Sequence, residues 1–376
     1  MKILFTGGGS GGHFYPIIAV IQSLNKVIDK EKIVDSKIYY FSDSPYNERA
    51  LFENGVIYQH IPAGKLRRYF SVRNFFDIFK TILGIIRAFI NVYAVYPDVV
   101  FGKGGYASFP TLLAAKILRI PVFIHESDSV PGRTNMWASK FAKRIAISYE
   151  GASNYFPKEK TVYTGQPVRE EILVPIEEGA SSYLNLDPSL PTILIICGSQ
   201  GAELINNVVL DALPDLVTKY QIIHQTGNNN IENVEKLSKV ILENSNYKER
   251  YRPFGYLNAL SVRMSAGISS LVVSRAGSTM FEIAAWKLPS IVIPITDSNG
   301  DHQRKNAFNY ARAGACTVIE ESNLSPSVLK AAIEKLMGNK ELLKTMSVAA
   351  GKFYQPNAAE TIARGIVEMA LEHESS

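Results

Sequence analysis

Short apolar runs alternate with helix-patterned segments along almost the whole chain. The runs have the length of buried strands, and the segments between them repeat apolar residues at three- and four-residue spacing. The runs predicted as strands are residues 3–5, 37–41, 99–101, 122–125, 144–147, 161–163, 192–197, 221–226, 270–274, 290–294 and 317–319. Strands that alternate with helices in this way predict βαβ units and parallel sheets.

The second half of the chain repeats the opening of the first. An apolar run at 2–5 leads into a glycine-rich loop at 6–13 and then a helix, and a run at 192–197 leads into a loop of small residues at 198–202 and a helix from about Glu203. We therefore predict an α/β protein with two Rossmann-like domains, whose parallel sheets face each other across a cleft. The predicted parts are an N-terminal domain at 1–164, a C-terminal domain at 165–356, and a helix at 357–376 that packs back on the N-terminal domain.

Composition narrows the class of protein. With 376 residues, of which 46% are hydrophobic and 20% charged, the chain is long enough for two cores and is not expected to be disordered. Cys197 and Cys316 suit a reducing cytosol and offer neither a disulfide framework nor a metal site. After Lys2 only three apolar residues precede the glycine loop, so we expect no signal peptide.

The net charge of +5 is compatible with nucleic acid, an anionic membrane or phosphorylated substrates, and the distribution of the cations has to decide among them. Lys65, Arg67, Arg68 and Arg73 precede a predicted amphipathic helix. Its polar or small positions are 77, 80, 84, 87 and 91, and its apolar positions are 75, 76, 79, 82, 83, 86, 90 and 93. Charges within the span argue against a transmembrane helix. Either the apolar side packs into the core, or this region docks on an anionic membrane surface.

The loop at 6–13 carries the first candidate chemistry. Five of the seven residues from 6 to 12 are glycine, so backbone N–H groups and the positive end of the next helix can approach a negative group. We expect no acidic residue well placed after the second strand to hold a ribose, which disfavours a dinucleotide-binding oxidoreductase. The loop is predicted to bind a phosphate-bearing ligand, with His13 either moving a proton there or only capping the helix.

Two further loops follow predicted strands. The loop at 102–110 combines backbone donors around Gly104 and Tyr106 with a lysine and a hydroxyl, and the loop at 198–202 adds the Ser199 hydroxyl and the Gln200 amide, which suit a diphosphate. Each loop alone is also compatible with a tight turn. Because doubly wound folds bind ligands outside the carboxyl ends of their strands, three such loops together favour a ligand site.

Three polar side chains extend the candidate site. Glu282 lies about one turn into a helix after a glycine turn, where a carboxylate can accept two hydrogen bonds from a ribose diol. Gln303 can offer its amide to sugar hydroxyls, and Arg169 can meet the charge of a leaving diphosphate. Each can equally be a surface, capping or linker residue. The sequence has no Asp-x-Asp motif and no His/Cys/Asp cluster at metal spacing, so we expect neither a metal nor a cofactor.

Motifs spread over nearly the whole chain resemble the MurG family of N-acetylglucosaminyltransferases. They are the glycine loop ending at His13, Gly-Gly-Tyr at 104–106, His-Glu at 125–126 with Thr-Asn at 134–135, Gly-x-Pro-Val-Arg at 165–169, Gly-Ser-Gln-Gly-Ala at 198–202, Ser-Arg-Ala-Gly with Glu at 274–282, and Asp-His-Gln-x-Lys-Asn-Ala at 301–307. The resemblance implies the GT-B fold and an inverting transfer without a required metal, which converts lipid I to lipid II in peptidoglycan synthesis.

The resemblance also implies roles for single residues. Ser10, Gly11 and Gly12 are expected to contact the UDP-sugar, His13 to stand beside the reacting hydroxyl, and Glu282 to hold the ribose. The other implied substrate-binding positions are Gly104, Tyr106, Asp128, Asn135, Arg169, Ser199, Gln200 and Gln303. This chain departs from the family at Asp128, which replaces an asparagine that contacts the sugar, and at Cys197 and Phe109, which replace glycines.

We therefore expect transfer of N-acetylglucosamine from UDP-N-acetylglucosamine to the 4-hydroxyl of the muramyl sugar on undecaprenyl-linked lipid I, with His13 as general base. The protein is expected to lie peripherally on the cytoplasmic face of the bacterial cell membrane and to bind no nucleic acid. The alternatives are another GT-B transferase with a lipid acceptor, and a nucleotide-sugar-binding membrane scaffold that has lost catalysis. The presence of His13, Glu282 and Gln303 together argues against the scaffold.

Overall fold

The computed structural model describes residues 1–65, 72–198, 201–296 and 298–374. The strands are β1 Lys2–Thr6, β2 Lys37–Ser42, β3 Val56–His60, β4 Val99–Gly102, β5 Val122–Glu126, β6 Arg144–Ile147, β7 Thr161–Tyr163, β8 Thr192–Ile196, β9 Gln221–Gln225, β10 Tyr251–Phe254, β11 Ser269–Ser274, β12 Ser290–Val292 and β13 Cys316–Val318. The α-helices are α1 Gly11–Glu31, α2 Glu48–Glu53, α3 Val72–Val95, α4 Phe109–Ile117, α5 Arg133–Ala138, α6 Ala180–Leu184, α7 Glu203–Leu216, α8 Ile231–Ile241, α9 Ala259–Ile268, α10 Thr279–Ala285, α11 His302–Arg312, α12 Pro326–Met337, α13 Lys340–Phe353 and α14 Ala358–Glu374. Short 3₁₀ helices lie at Tyr106–Ser108, Glu150–Tyr155, Lys158–Lys160, Glu170–Ile172, Lys248–Arg250, Asn299–Asp301 and Glu321–Asn323.

In the described part of the chain, the strands form two parallel sheets in two compact units. The first sheet has the order β3-β2-β1-β4-β5-β6-β7 and belongs to a unit that runs from Met1 to Arg169 and resumes at Gln355. The second has the order β10-β9-β8-β11-β12-β13 and belongs to the unit Glu170–Tyr354. In each sheet the strand order reverses beside the unit's first strand, which is where doubly wound folds bind ligands. The predicted α/β class with two parallel sheets is confirmed.

The last helix, α14, is part of the first unit. Its Ile362, Ile366 and Ala370 lie in the same buried cluster as Phe14 and Ile18 of α1. Burying one such isoleucine stabilises the fold by about 1.5–3 kcal/mol. Apolar packing therefore holds this helix against the first sheet's helical layer, and its exposed ion pairs contribute little by comparison.

Two strands are absent from the sequence prediction, and both lie at a sheet edge. β3 is only partly buried and ends in Gln59 and His60, so it lacks the continuous apolar run of a central strand. β10 contains Pro253, which has no N–H to donate and is tolerated at an edge. Edge strands are half-solvated, and the apolar pattern that identifies the central strands is weak in them.

Helix α3 turns its apolar side outward. Phe76 is 68% exposed and Tyr93 is 66% exposed, whereas Gly84, Ala88 and Val92 are buried. Gly84 lies so close to the preceding loop that a Cβ there would be 1.7 Å from the Pro62 carbonyl oxygen. The helix therefore packs through its small residues, and the interpretation that its apolar side enters the core is wrong.

By length and composition alone, the segment Phe75–Val95 of α3 could cross a membrane. In the structure it is the connection from β3 to β4, and one side of it packs along α4. Arg67 and Arg68 lie outside the described residues, as does the side chain of Arg73.

Candidate functional site

Three loops of the first unit meet at the carboxyl edge of its sheet, because β1, β4 and β5 are neighbours there. The Lys103 N–H, just after β4, donates to the Thr6 carbonyl at 2.9 Å. A Cβ at Gly104 would lie 2.8 Å from the Asn135 amide nitrogen. The loops are therefore packed directly against one another, and position 104 has space for glycine alone.

His13 lies in the first turn of α1, among these loops. Its Nδ1 is 2.8 Å from the Oγ of Ser10, the N-cap residue of the helix. A Cβ at Gly105 would lie 3.6 Å from the His13 Nε2, so this nitrogen faces the Gly104–Gly105 turn. In the tautomer whose Nδ1–H donates to Ser10, the Nε2 lone pair can accept a proton. The ring is thus oriented as a general base requires.

Gly11 and Gly12 also lie in the first turn of α1. A Cβ at Gly11 would lie 2.6 Å from the Tyr46 hydroxyl oxygen, so the backbone there is closely covered by an aromatic ring. The guanidinium of Arg169 lies 3.8 Å from the centre of the Tyr15 ring, which packs edge-on against Tyr46. A cation–π contact of this kind holds Arg169 beside the aromatic residues of α1.

Tyr106 is held by Asp43, a residue that the sequence analysis did not single out. The Tyr106 hydroxyl donates to Asp43 Oδ2 at 2.7 Å, and burial together with this carboxylate raises the pKa of the phenol. The Tyr106 ring covers the glycine loop, since a Cβ at Gly9 would lie 2.7 Å from its Cε1 atom. Asp43 directly follows β2, where the sequence analysis expected no acidic residue placed to hold a ribose. In this structure its carboxylate binds a phenol.

Glu126 organises the loop 127–132, which carries Asp128. Its carboxylate accepts the Asp128 N–H at 2.9 Å, the Gly132 N–H at 3.0 Å and the Asn135 side-chain amide at 2.9 Å. The Asn135 amide also donates to the His125 carbonyl at 3.0 Å. Glu126 and Asn135 are buried and Asp128 is half-buried, so the first two support the loop and the third lies at its surface.

The second unit presents loops at the carboxyl ends of β8, β11 and β12, which are adjacent in its sheet. Ser199 and Gln200, predicted to bind a diphosphate, lie outside the described residues. At Gly201, φ is +72° and a Cβ would lie 1.8 Å from the Thr226 carbonyl oxygen, so this turn requires glycine. A Cβ at Gly198 would meet nothing within 4 Å, so its backbone borders open space.

Gln225, at the end of β9, ties the loop after β8 to the loop after β10. Its Nε2 donates to the Gly198 carbonyl at 2.8 Å, and its Oε1 accepts the Leu257 N–H at 3.0 Å. The side chain is buried. The sequence analysis did not identify this residue, although a polar residue that ends a buried apolar strand is a usable signal.

Glu282 and Gln303 both lie in the first turn of a helix. Glu282 is half-buried in α10. The Gln303 Oε1, in α11, accepts the Ile295 N–H at 3.2 Å. The amide nitrogen of Gln303 is then the part of its side chain that can donate to a ligand.

An ion pair between Arg275 and Glu321 supports the loop that leads to Gln303. The guanidinium donates to Glu321 Oε1 at 2.6 Å, and Glu321 Oε2 accepts the Thr296 N–H at 2.8 Å. Burial acts to raise the pKa of Glu321, but the Thr296 N–H and the Arg275 guanidinium outweigh it and lower that pKa. The carboxylate therefore stays ionised and holds the loop.

Cys197 and Phe109 occupy ordinary apolar environments. Burial raises the pKa of the Cys197 thiol to about 12, so it packs at the end of β8 as a small neutral side chain. The Phe109 ring lies 5.0 Å from the Trp137 ring, and the Trp137 ring lies 4.8 Å from that of Phe141. The residue at position 109 thus joins an aromatic cluster with Trp137 of α5 and Phe141, which follows that helix.

The functional groups of the two loop sets suit anions and sugar hydroxyls. Among the residues that the structure describes, no three His, Cys, Asp or Glu side chains are grouped as metal ligands. Backbone N–H groups at glycine turns and helix N-termini are typical anion-binding groups, and amides and carboxylates bind hydroxyls.

Two family models cover most of the chain. The glycosyltransferase family 28 N-terminal domain matches residues 3–147, and the C-terminal domain of the same family matches residues 192–362. A Bacillus cereus protein named UDP-N-acetylglucosamine--N-acetylmuramyl-(pentapeptide) pyrophosphoryl-undecaprenol N-acetylglucosamine transferase 2 is 38% identical, over 98% of this chain and 99% of its own. A Natranaerobius thermophilus protein with the corresponding transferase name is 35% identical, over 97% of this chain and 98% of its own.

Solved structures show the same fold. MurG from Acinetobacter baumannii is 26% identical with a TM-score of 0.71, over 98% of this chain and 99% of its own. A UDP-GlcNAc 2-epimerase from Neisseria meningitidis has a TM-score of 0.69 over 98% of this chain and 100% of its own, but at 16% identity it shows the fold alone. The chain therefore belongs to glycosyltransferase family 28, in the MurG group that its motifs indicated, and has the GT-B fold.

Proposed function

We propose that this protein transfers N-acetylglucosamine from UDP-N-acetylglucosamine to the 4-hydroxyl of the muramyl sugar of undecaprenyl-linked lipid I, with inversion at the anomeric carbon. The observation that carries the proposal is the orientation of His13, whose Nδ1 pairs with Ser10 and whose Nε2 faces the Gly104–Gly105 turn. Near-full-length relatives with the corresponding transferase name support the choice of donor and acceptor.

In the proposed reaction, His13 Nε2 takes the proton of the acceptor hydroxyl as its oxygen attacks the anomeric carbon. The new C–O bond forms on the face opposite UDP while the bond from that carbon to the diphosphate breaks, so UDP leaves with its electron pair. Ser10 keeps the imidazole in the required orientation. An imidazole suits this role because its unperturbed pKa of about 6.5 lies close to the working pH.

Donor binding is proposed for residues that stand on helix N-termini and glycine turns. Glu282 would accept hydrogen bonds from the ribose diol, and Gln303 would donate to a sugar hydroxyl. The loop with Ser199 and Gln200, and the cation of Arg169, would meet the diphosphate. Ser10, Gly11, Gly12 and Asp128 are proposed contacts of the donor sugar, and Gly104 and Tyr106 of the acceptor, while Asn135 acts through Glu126.

We also propose that the protein works peripherally at the cytoplasmic face of the cell membrane, where lipid I is anchored by its polyprenyl chain. The supporting observation is the exposed apolar side of α3. Because α3 follows β3 in a parallel sheet, its aromatic N-terminal part lies at the carboxyl edge, the edge that carries His13. Docking through α3 would bring the loops of the first unit to the lipid surface.

A transfer assay tests the function. Labelled UDP-N-acetylglucosamine is supplied with lipid I in detergent or vesicles, with and without a chelator, and lipid II is quantified. We expect labelled lipid II in both samples, and its absence with wild-type protein contradicts the proposal. Transfer to another lipid acceptor, such as diacylglycerol, would favour the alternative GT-B transferase, and binding of the donor without any transfer would favour the inactive scaffold.

A further inference from the structure

Lys103 is a buried cation beneath the loops of the first unit. It follows β4 directly and is only 1% exposed. A lysine is almost never buried to this degree unless a charge or hydrogen-bond partner compensates it. The backbone of Gly7 passes over its stem, since a Cβ at Gly7 would lie 2.9 Å from the Lys103 Cβ. The glycine loop that leads to His13 therefore packs on this lysine.

The Lys103 ammonium is directed to the start of the loop 127–132, where it donates to Ser127 Oγ. Three ionisable groups interact electrostatically with this ammonium. They are the carboxyls of Glu126 and Asp128 and the imidazole of His125. Burial lowers the pKa of Lys103 to about 8, and the two carboxylates act in the opposite direction. Burial and the Lys103 charge lower the pKa of His125, so its ring is neutral. At neutral pH the cluster thus holds one ammonium and two carboxyl groups.

Asp128 adds a second carboxyl group that interacts with this cation. A carboxyl at position 128 lies two residues from Glu126, and the Glu126 Oε1 already accepts the Asp128 N–H at 2.9 Å. Two carboxylates at this spacing repel each other, and burial together with the Asp128 charge raises the pKa of Glu126. The positive charge of Lys103 offsets the negative charge of Asp128. Together with Glu126, the three side chains then carry the same net charge as Glu126 would with uncharged residues at positions 103 and 128.

We propose that Lys103 and Asp128 are a charge-matched pair, in which Lys103 positions the loop 127–132 and Asp128 accepts a hydrogen bond from a hydroxyl of the donor sugar. The proposal extends the proposed function, and the part of its test that measures activity rests on that function. A carboxylate accepts hydrogen bonds but donates none, so the pair selects for a hydroxyl donor on the sugar. Lys103 is a positioning residue, because its ammonium is enclosed by protein.

A double-mutant cycle tests the pair with Lys103→Met, Asp128→Asn and the double variant. Lys140→Met, an exposed lysine of the same unit, is the matched control. Three quantities are measured for each variant: the urea midpoint of unfolding without substrate, the affinity for UDP and for UDP-N-acetylglucosamine, and kcat/KM for transfer. The first two are independent of catalysis, so they report on the pair even if lipid I is not the acceptor.

We expect each single variant to lower kcat/KM about 10-fold. If the two residues acted independently, the double variant would lose roughly 100-fold, but we expect its kcat/KM to stay within a few-fold of either single variant. Affinity for UDP-N-acetylglucosamine should fall in the single variants while affinity for UDP is unchanged, since UDP lacks the sugar. The unfolding midpoints should show the same non-additivity, and Lys140→Met should match wild type. Additive midpoints would overturn the pairing. Coupled midpoints with an unchanged affinity for the sugar nucleotide would overturn the role of Asp128 in sugar binding.

The pH dependence of kcat/KM distinguishes a role of the Lys103 charge from a purely structural role of its side chain. Raising the pH through about 8 removes the Lys103 charge and leaves Glu126 and Asp128 uncompensated. We expect kcat/KM of the wild type to fall on this alkaline side and the fall to be absent in the Lys103→Met/Asp128→Asn variant. The same alkaline fall in both proteins would contradict the inference.

Discussion

The exposed side of α3 gives a prediction whose size can be worked out from the structure. Phe76 is 68% exposed and Phe79 is 57% exposed. An aromatic side chain presents roughly 200 Å², so the two expose about 250 Å² of apolar surface, worth about 6 kcal/mol at full burial. Immersion of half that area at the lipid interface corresponds to about 3 kcal/mol, or ~100-fold in the vesicle partition coefficient.

The assay is sedimentation of the protein with anionic vesicles at fixed lipid concentration. The double substitution Phe76→Ser and Phe79→Ser should lower the partition coefficient ~100-fold, while UDP binding measured by calorimetry stays unchanged. Phe52→Ser is the matched control, because Phe52 is 86% exposed and belongs to a different helix, α2. If the double variant sediments within twofold of wild type, α3 does not insert and the membrane role is refuted.

The remaining predictions concern the cations, the base and the donor pocket. Replacing Arg67, Arg68 and Arg73 by Glu should release the protein from anionic vesicles, because each cation contributes about 1 kcal/mol, and added salt should weaken wild-type binding in the same assay; unchanged sedimentation would exclude their role. His13→Ala should lower turnover by ~10²–10⁴-fold with UDP affinity nearly intact, and a variant that keeps a tenth of wild-type turnover would remove His13 as the base. Glu282→Ala should weaken UDP binding by roughly 1.5–3 kcal/mol in titration calorimetry, and an unchanged dissociation constant would rule out its ribose contact.

The central strands follow from the sequence because they are buried on both faces. β8, for instance, is buried at every position, and its apolar run is unbroken. β3 and β10 lie at the edges, where one side of the strand meets solvent and polar residues or Pro253 interrupt the pattern. The apolar run that identifies a strand therefore depends on burial of both faces, and it is interrupted in strands that are only partly buried.

The periodicity of α3 predicts a helix and its two sides but not which side faces the protein. An apolar stripe can pack into a core or meet a membrane, and its pattern is the same in both cases. Gly84 decides the question, because close approach to the Pro62 carbonyl is possible only for glycine. That contact joins a helix to a preceding loop and becomes visible only in three dimensions.

The positions of the site loops could be predicted because each follows a strand and precedes a helix. Their supporting contacts could not, since they join parts of the chain that are distant in sequence. Asp43 binds Tyr106, Gln225 joins Gly198 to Leu257, and Glu321 supports the loop before Gln303 through Arg275 and Thr296. Each of these residues is an ordinary polar residue in the sequence, and its role arises from the register of neighbouring strands.

The most direct test of the proposed reaction is the structure of the product made from UDP-N-acetylglucosamine and lipid I. The purified product would be analysed by NMR for the configuration of the new anomeric centre and for the oxygen to which it is bonded. Attack from the face opposite UDP, with His13 as the base, predicts a β-linkage to the 4-hydroxyl of the muramyl sugar. An α-linkage, attachment at another oxygen, or release of free N-acetylglucosamine in place of a disaccharide would contradict it.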